Sequence, residues 1–308
     1  MIGGLFSKAF SWLGAQLFIG LLWLLHFLPL PLLAALGRGL GGLLWVLARS
    51  RRRIALRNLE LCFPELDGAR REALAREHFA WLGRSFLERG LLWFASPARL
   101  QRLMRIKGNI KLAEETEQPI MWLLPHFVGL EWVGPALMLN QKRPGVDVYQ
   151  RQSNAVLDAR MLAGRARFGQ TAFVDRHDGI RPVLRLIKQG YAFLNAPDMD
   201  FGEKDSAFVP FFGVPACTLL APARMARSVN MRVQPLVVTM LPGGQGYEVE
   251  ACEALDGYPS DDPLADARLL NAWLEARIRQ HPAQYLWVHK RFKTRPAGEA
   301  SLYQCRGR

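Results

Sequence analysis

The chain of 308 residues begins with an apolar region and continues, from about residue 49, with alternating apolar and polar segments. Residues 9–28 contain no Asp, Glu, Lys or Arg, and a run of about 20 such residues matches the hydrocarbon core of a bilayer. A second apolar stretch, residues 32–47, is interrupted by Arg38 and several glycines, which favours an interfacial position. The pattern predicts one N-terminal transmembrane helix.

The charges on the two sides of this predicted span indicate its orientation. Lys8 precedes the span, whereas a set of arginines follows it closely: Arg38, Arg49, Arg51, Arg52, Arg53 and Arg57. Because positive residues near a span stay on the cytoplasmic side, we expect a single-pass protein whose remaining chain is cytoplasmic. We therefore divide the chain into a membrane anchor with an interfacial segment, residues 1–57, and a cytoplasmic domain, residues 58–308.

The cytoplasmic part has the periodicity of an α/β protein. Residues 64–96 are charged and periodic, which predicts one or two amphipathic helices. Strand-like runs follow at residues 120–124, 146–149, 171–174, 191–195, 233–241 and 246–251. Helical patterns lie between or after them at about 129–140, 154–168, 179–189, 217–229 and 263–280. This alternation predicts a mixed, largely parallel sheet flanked by helices.

The composition limits the kinds of molecule that we expect the protein to bind. The net charge of +13 and the pI near 10.1 would suit a nucleic-acid-binding protein. Half of the residues are hydrophobic, however, and an anionic membrane surface attracts Lys and Arg at about 1 kcal/mol each. We therefore expect anionic lipid rather than nucleic acid as a partner. The four cysteines are scattered without a C-x-x-C spacing, so a structural zinc site is not expected.

The segment PIMWLLPHFVGLE, residues 119–131, carries the most specific chemistry. A buried-strand pattern breaks at Pro125 and presents His126, with Glu131 five positions later. Five positions along one helix would point the two side chains apart. They can meet only if His126 lies at a strand-to-helix turn and Glu131 projects back from the first helical turns. A carboxylate that orients an imidazole is a general-base arrangement.

Other segments carry weaker signals. An arginine cluster at residues 149–168 is either a solvated helix face or a phosphate site. Asp198 and Asp200 follow a predicted strand and could chelate a divalent metal, or orient an arginine or a helix terminus. Residues 209–218, VPFFGVPACT, are predicted to form an apolar loop that suits an acyl chain or a membrane surface. A basic patch lies at Lys290, Arg291, Lys293 and Arg295.

The order of these motifs resembles the bacterial lipid A biosynthesis acyltransferases, the late or secondary acyltransferases within the lysophospholipid-acyltransferase-like superfamily. The resemblance rests on the N-terminal anchor and a series of segments that covers nearly the whole chain: NLELCFPE, HFVGLE, VYQRQSN, GRAR, DRHD, APDMDFG, FVPFFGVPACT and QYLWVHKRFKTRP. HFVGLE fits the H-x4-[D/E] box of the family. One departure is Gln150, where the family often has Arg, with Arg151 displaced by one.

This resemblance implies a glycerolipid-acyltransferase-like fold at the bacterial inner membrane. It implies an acyl carrier protein thioester as donor, a Kdo-bearing lipid A precursor as acceptor, and no cofactor or metal. His126 and Glu131 are the implied catalytic residues. The residues implied for substrate or oxyanion binding are Arg165, Asp198, Arg151, Asn154, Arg167 and Asp200, with the basic patch receiving phosphates of the acceptor or the acidic carrier.

The expected mechanism is direct acyl transfer in a ternary complex. His126 would take the proton from the attacking hydroxyl, and Glu131 would orient the imidazole and stabilise the imidazolium. Arg165 or nearby backbone amides would donate to the tetrahedral oxyanion. We expect Asp198 to anchor Arg165 rather than to bind metal.

Two enzyme alternatives remain, besides a non-enzymatic membrane scaffold. One is an acyltransferase that acts on another membrane lipid, such as a glycerophospholipid or an aminolipid. The other is a metal-dependent membrane glycosyltransferase that uses Asp198 and Asp200, although no glycine-rich nucleotide loop follows the first predicted strand.

Overall fold

The computed structural model describes residues 2–303, with side chains from residue 11 onward. Met1, the side chain of Lys8 and residues 304–308, which include Cys305, lie outside the described residues. The α-helices of the described part are α1 (Ile2–Leu25), α2 (Leu30–Leu47), α3 (Arg49–Cys62), α4 (Gly68–Phe94), α5 (Pro97–Leu103), α6 (Val133–Asn140), α7 (Ala155–Arg165), α8 (Arg181–Lys188), α9 (Ala221–Ser228) and α10 (Pro263–Gln280).

A seven-stranded sheet forms the centre of the molecule, and a separate hairpin lies beside it. The strands are β1 (Met104–Gly108), β2 (Ile120–Leu123), β3 (Gly145–Tyr149), β4 (Thr171–Asp175), β5 (Ala192–Asn195), β6 (Ser206–Phe211), β7 (Val214–Leu219), β8 (Arg232–Met240) and β9 (Tyr247–Ala251). The sheet order is β1-β9-β8-β2-β5-β3-β4, and β6 pairs with β7 in the hairpin. Within the large sheet, β8 and β9 are antiparallel and the other pairs are parallel. The predicted mixed, largely parallel α/β fold is confirmed.

The predicted elements match the observed ones closely where apolar runs are continuous. Each of the six predicted strands is present within one residue of its expected bounds, whereas β1 was not predicted. Strands that are covered on both faces are largely apolar. All four residues of β2 are buried. The charged segment at 64–96 is a single long helix, α4, whose N-cap Asp67 accepts from the backbone N–H of Arg70.

Residues 209–218 do not form the predicted loop. They belong to the β6–β7 hairpin, and the predicted helix at 217–229 begins only at Ala221. Phe212 and Gly213 turn the chain at φ values of 49° and 75°, the backbone that two-residue hairpins favour. Val209 and Phe211 are fully buried, so this segment packs inside the protein rather than against a membrane.

The N-terminal helices pack directly on the enzyme core. A Cβ atom added at Gly37 or Gly41 of α2 would overlap the backbone of α4, and one at Gly83 of α4 would overlap that of α2. The glycines that interrupt the apolar pattern therefore allow the two helix backbones to approach closely. The predicted boundary between residues 57 and 58 falls inside α3, and the two-part division stays a prediction.

An N-terminal helix long and apolar enough to cross a membrane is present. Among the described residues this is α2, Leu30–Leu47, whereas the apolar part of α1 with described side chains, Ser11–Leu25, is shorter. The predicted span at 9–28 begins in residues whose side chains are not described, and its extent stays a prediction. The segment that was predicted to be interfacial, residues 32–47, thus belongs to the helix that is long and apolar enough to cross a membrane.

Candidate active site

His126 lies in the turn that follows β2, at the carboxyl edge of the sheet. The C-terminal segment fixes this turn: the backbone N–H of Leu286 donates to the carbonyl of His126 over 2.9 Å, and that of Val128 donates to the carbonyl of Gln284 over 2.8 Å. The Gln284 side chain in turn bonds both the N–H and the carbonyl of Met240 on β8. The QYLW sequence therefore holds the turn that carries His126 through its backbone.

Asp198 orients the imidazole. Its Oδ1 lies 2.6 Å from Nδ1 of His126, and its Oδ2 accepts from the backbone N–H of the same residue over 3.0 Å. This arrangement assigns the proton to Nδ1 and leaves Nε2 with a lone pair. The His126 side chain lines a cavity and keeps 24% of its surface accessible. Nε2 is thus available to a bound substrate.

The electrostatics favour proton uptake by this imidazole. Burial lowers the pKa of His126, but the charge of Asp198 and its hydrogen bond raise it, and the net direction is upward. Burial raises the pKa of Asp198, whereas the imidazolium and its hydrogen bonds lower it, with a net downward direction. Each group therefore stabilises the charged form of the other.

Glu131 projects from a 3₁₀ turn, Leu130–Trp132, that leads into α6. Its carboxylate accepts two hydrogen bonds from Arg165, 2.6 Å from Nη2 and 3.0 Å from Nε. Nη1 of Arg165 donates to Asp147 of β3 over 3.2 Å. Burial opposes the ionisation of Glu131, but Arg165 and Arg89 lower its pKa to about 2. Glu131 is therefore ionised.

The carboxylate partners predicted for His126 and Arg165 are interchanged in the structure. Asp198, not Glu131, holds His126, and Glu131 with Asp147, not Asp198, holds Arg165. The reason is the strand order: β5 lies beside β2, so the loop after β5 brings Asp198 to the turn after β2. His126 lies at a strand-to-helix turn and Glu131 in the first helical turn, which is the arrangement in which the two could meet, but Glu131 is bonded to Arg165.

A cavity of about 770 Å³ lies beside the His126 side chain. Its polar wall contains His126, Glu131, Asp147 and Arg165. The remainder is mostly apolar and includes Phe18 of α1 and side chains from α4, α6, α7 and the sheet: Phe86, Trp93, Val133, Met138, Met161, Phe173 and Leu194. A volume of this size with an apolar lining suits a flexible hydrocarbon chain.

Three residues predicted to bind substrate have structural partners. Asn154 caps α7 through the backbone N–H groups of Val156 and Leu157, and its amide donates to Ser11 of α1. Arg167 donates to the carbonyls of Leu92 and Ala95 at the end of α4. The side chain of Arg151 is 69% exposed and lies 3.5 Å from Asp175. The structure does not bring these residues to His126.

Asp200 fastens the C-terminal segment. Its carboxylate accepts from the backbone N–H and the hydroxyl of Thr294 over 2.6 Å and 2.7 Å, and from the N–H of Gly202. Asp198 is occupied by His126. Within residues 2–303, no group of three or more metal-binding side chains is assembled. The two aspartates thus have separate hydrogen-bonding partners.

The basic patch is divided between interior and surface. Arg291 is 1% exposed and donates to the carbonyl of Cys217 and the hydroxyl of Thr218. Arg295 bonds Glu299 over 2.6 Å and the carbonyl of Pro215. Lys290 and Lys293 are exposed. Arg291 supports the hairpin and is not accessible to a phosphate.

Several residues of the site escaped the sequence analysis. Asp147 was read only as part of a strand, and Arg89, which also lines the cavity, as one charge on an amphipathic helix. A charged residue in the middle of an otherwise apolar parallel strand, such as Asp147 in β3, is a signal that could have been used. No comparable signal distinguishes Arg89 from the other arginines of α4.

The fold and the site define a class of enzyme. An oriented histidine at the carboxyl edge of a parallel sheet, facing a largely apolar cavity, is suited to acid–base chemistry on a substrate with a long apolar part. Comparison with known proteins gives the particular family. Residues 5–294 match the family model described as "Bacterial lipid A biosynthesis acyltransferase", and the chain belongs to this family.

Individual relatives agree with the family assignment over nearly full length. The chain is 34% identical to the lipid A biosynthesis palmitoleoyltransferase of Escherichia coli K12, with 95% of this chain and 94% of the relative covered. It is 34% identical over the same coverage to the lauroyltransferase of that organism, and 31% identical to its myristoyltransferase, with 96% and 90% covered. The protein is an acyltransferase of lipid A biosynthesis.

Proposed function

We propose that the protein transfers a fatty acyl chain from an acyl carrier protein thioester to a hydroxyl group on an acyl chain of a Kdo–lipid A precursor. The observation that carries this proposal is the geometry of His126. Its Nδ1 is fixed by Asp198 at 2.6 Å, and its Nε2 side faces a largely apolar cavity of about 770 Å³. The donor and acceptor classes come from the family resemblance and from the names of the relatives.

In the proposed reaction, Nε2 of His126 accepts the proton of the acceptor hydroxyl as its oxygen attacks the thioester carbonyl carbon. Collapse of the tetrahedral adduct breaks the carbon–sulfur bond, and the imidazolium returns the proton to the departing thiolate. The products are the new ester and the free carrier thiol. Asp198 is the orienting residue, because it holds the tautomer that leaves Nε2 unprotonated.

Glu131 acts on Arg165 in this proposal. Three N–H groups of the guanidinium are engaged by Glu131 and Asp147, and two remain of the five that an arginine carries. Those two, or nearby backbone amides, would donate to the oxyanion. Glu131 is then a positioning residue, since it fixes the plane of the guanidinium with two hydrogen bonds.

We propose further that the N-terminal helices seat the protein on the cytoplasmic face of the bacterial inner membrane. Most large hydrophobic side chains that the described structure exposes lie on or beside α1 and α2, among them Trp12, Leu17 and Leu47. Phe18 of α1 lines the cavity, so the apolar surface continues to the site. Arg49, Arg51, Arg52 and Arg53, at the start of α3, supply positive charge for anionic lipid.

Exposed Lys290 and Lys293 are proposed to meet the acidic carrier protein. Of the predicted basic patch, these two side chains are the ones on the surface, and they follow the segment that holds the His126 turn. Rim charges of this kind mainly raise the association rate. A donor attracted there would arrive close to the catalytic turn.

The alternatives differ in how the site residues are used. A glycosyltransferase would need Asp198 and Asp200 for metal, but the first is bonded to His126 and the second to Thr294. An acyltransferase acting on another lipid keeps the same chemistry and differs only in its acceptor. An assay that offers different acceptor lipids decides whether the protein acts on another lipid.

The test uses the full-length protein in detergent micelles with acyl carrier protein thioesters and a Kdo–lipid A precursor. Mass spectrometry should show the acceptor gaining one acyl chain. His126→Ala should reduce turnover by about 100- to 10,000-fold, the usual contribution of a general base, with an unchanged melting temperature as evidence of folding. Normal turnover by folded His126→Ala would contradict the mechanism, and acylation of a glycerophospholipid alone would contradict the acceptor.

A further inference from the structure

The cations that line the cavity differ in their partners. Arg165 is paired with Glu131 and Asp147, and Arg176 donates to Gln150 over 3.1 Å. Arg89 lines the same cavity, yet among the described residues none lies within hydrogen-bonding or ion-pairing distance of its guanidinium. Its Nε is buried without a hydrogen-bond partner.

Arg89 projects from the wall that meets the N-terminal helix. It lies on α4 between Phe86 and Trp93, which also line the cavity, and Phe18 of α1 completes this side. The neighbouring Gly90 packs against the backbone of Leu22 on α1. The guanidinium is therefore placed where a lipid entering beside the apolar helix would bring its polar headgroup.

Arg89 still has hydrogen-bond donors for a ligand, although its charge helps to balance that of Glu131. The positive charge of Arg89 contributes to the low pKa of Glu131. The carboxylate, however, already has a two-point hydrogen bond from Arg165, at 2.6 Å and 3.0 Å. A buried donor without a partner is costly, and a guanidinium fork matches the oxygens of a phosphate.

We propose that Arg89 binds a phosphate group of a substrate, and that this phosphate belongs to the lipid acceptor. The acceptor is favoured over the phosphodiester of the carrier arm because Arg89 lies on the wall formed with α1. This inference rests on the proposed function, since it names a contact to the same acceptor. It assigns to Arg89 a role in acceptor affinity and specificity.

The test is a binding measurement that needs no turnover. The dissociation constant of the phosphorylated glycolipid and of its dephosphorylated form is measured in micelles for the full-length protein, Arg89→Gln and Arg89→Lys. Arg89→Gln should weaken binding of the phosphorylated lipid by at least about tenfold, and leave the dephosphorylated lipid unchanged. Arg89→Lys should lie between, because it keeps the charge but loses the fork. Arg105→Gln, exposed on β1, is the matched control and should change neither.

A parallel measurement separates the two sources of phosphate. Acyl phosphopantetheine and the acyl pantetheine without phosphate are compared on the same variants. Loss confined to the phosphorylated donor would keep a phosphate site but overturn its assignment to the acceptor. Equal losses for every ligand would overturn the proposal in favour of charge balance for Glu131. Because binding is measured directly, absence of acyl transfer would contradict the proposed function without affecting this result.

Discussion

Two arginine–glutamate pairs lie near the 3₁₀ turn 130–132, one through Glu131 itself and the other through Tyr247, and they differ in their access to water. Arg165 and Glu131 line the cavity with 28% and 25% of their side chains exposed. Arg84 and Glu88 on α4 form a similar two-point pair, with a shortest contact of 2.6 Å, but each is only 1% exposed. The same chemistry therefore occurs once beside a substrate cavity and once sealed in the interior.

Arg84 and Glu88, the sealed pair, belong to a buried hydrogen-bonding network that reaches the turn through Tyr247. Glu88 accepts from the hydroxyl of Tyr247, and Arg84 donates to the carbonyl of Leu241. The Tyr247 ring stacks on Trp132 with centroids 3.6 Å apart. Trp132 is adjacent to Glu131 in sequence. Arg84 and Glu88 thus stabilise the scaffold, whereas Arg165 and Glu131 face the cavity.

The largest expected effect follows from breaking the sealed pair. Glu88→Ala leaves the Arg84 guanidinium buried without its carboxylate, which should lower the free energy of unfolding by about 3–5 kcal/mol. Denaturant unfolding in micelles measures this loss. Replacing both residues with Met should be much less damaging, because no unpaired charge remains. If Glu88→Ala were as stable as the wild type, the sealed pair would have no structural role.

The cavity pair should respond in the opposite way. Glu131→Gln removes the charge that fixes Arg165, and a displaced guanidinium should reduce kcat by about 100-fold. Stability should fall by at most about 3 kcal/mol, because Asp147 and water can still reach Arg165. The measurement is turnover and unfolding of the same preparation, with Glu131→Asp as the variant that keeps the charge. A large loss of stability with normal turnover would make this pair a second scaffold.

Most of the fold could be predicted from the apolar pattern of the sequence. The hydrogen-bonding partners within the site, in contrast, depend on strand order. The six strands predicted between residues 120 and 251 lie in mainly apolar runs, so their positions could be read directly, whereas the β6–β7 hairpin in the same interval was missed. The approach of Asp198 to His126 joins residues 72 positions apart, and it follows from β5 pairing with β2. Local spacing alone favoured Glu131 as the partner of His126, because Glu131 is near in sequence.

Other errors have equally physical causes. The segment 209–218 contains two prolines and two adjacent phenylalanines, which masked the alternation of a hairpin and suggested an apolar loop for an acyl chain or a membrane surface. Arg291 was assigned to a surface patch because its neighbours are basic, yet it is buried against the hairpin. Charge runs in a sequence do not report which side chain points inward.

A displacement of the pH profile separates Asp198 from the cavity pair. His126 acts as a base only when neutral, so kcat/KM should fall as the pH drops through its pKa, which Asp198 raises above the ordinary value of about 6.5. Asp198→Asn removes that carboxylate while burial still lowers the pKa. The acid limb should therefore move to lower pH, and the plateau should fall because the tautomer is no longer fixed.

The sign of the stability effect gives an independent check on the same variant. A His126 pKa that is raised on folding stabilises the protein fully below the unfolded value of about 6.5, and this contribution is lost as the pH rises through the folded pKa. The lowered pKa of Asp198 adds stability that is lost as the pH falls through its folded value. Asp198→Asn should remove the trend due to Asp198 and reverse that due to His126, whose pKa burial then lowers, measured as melting temperature against pH. Asp147→Asn, whose carboxylate contacts Arg165 and not His126, should keep the position of the acid limb. If Asp147→Asn moved that limb as far as Asp198→Asn, the assignment of Asp198 as the orienting residue would be wrong.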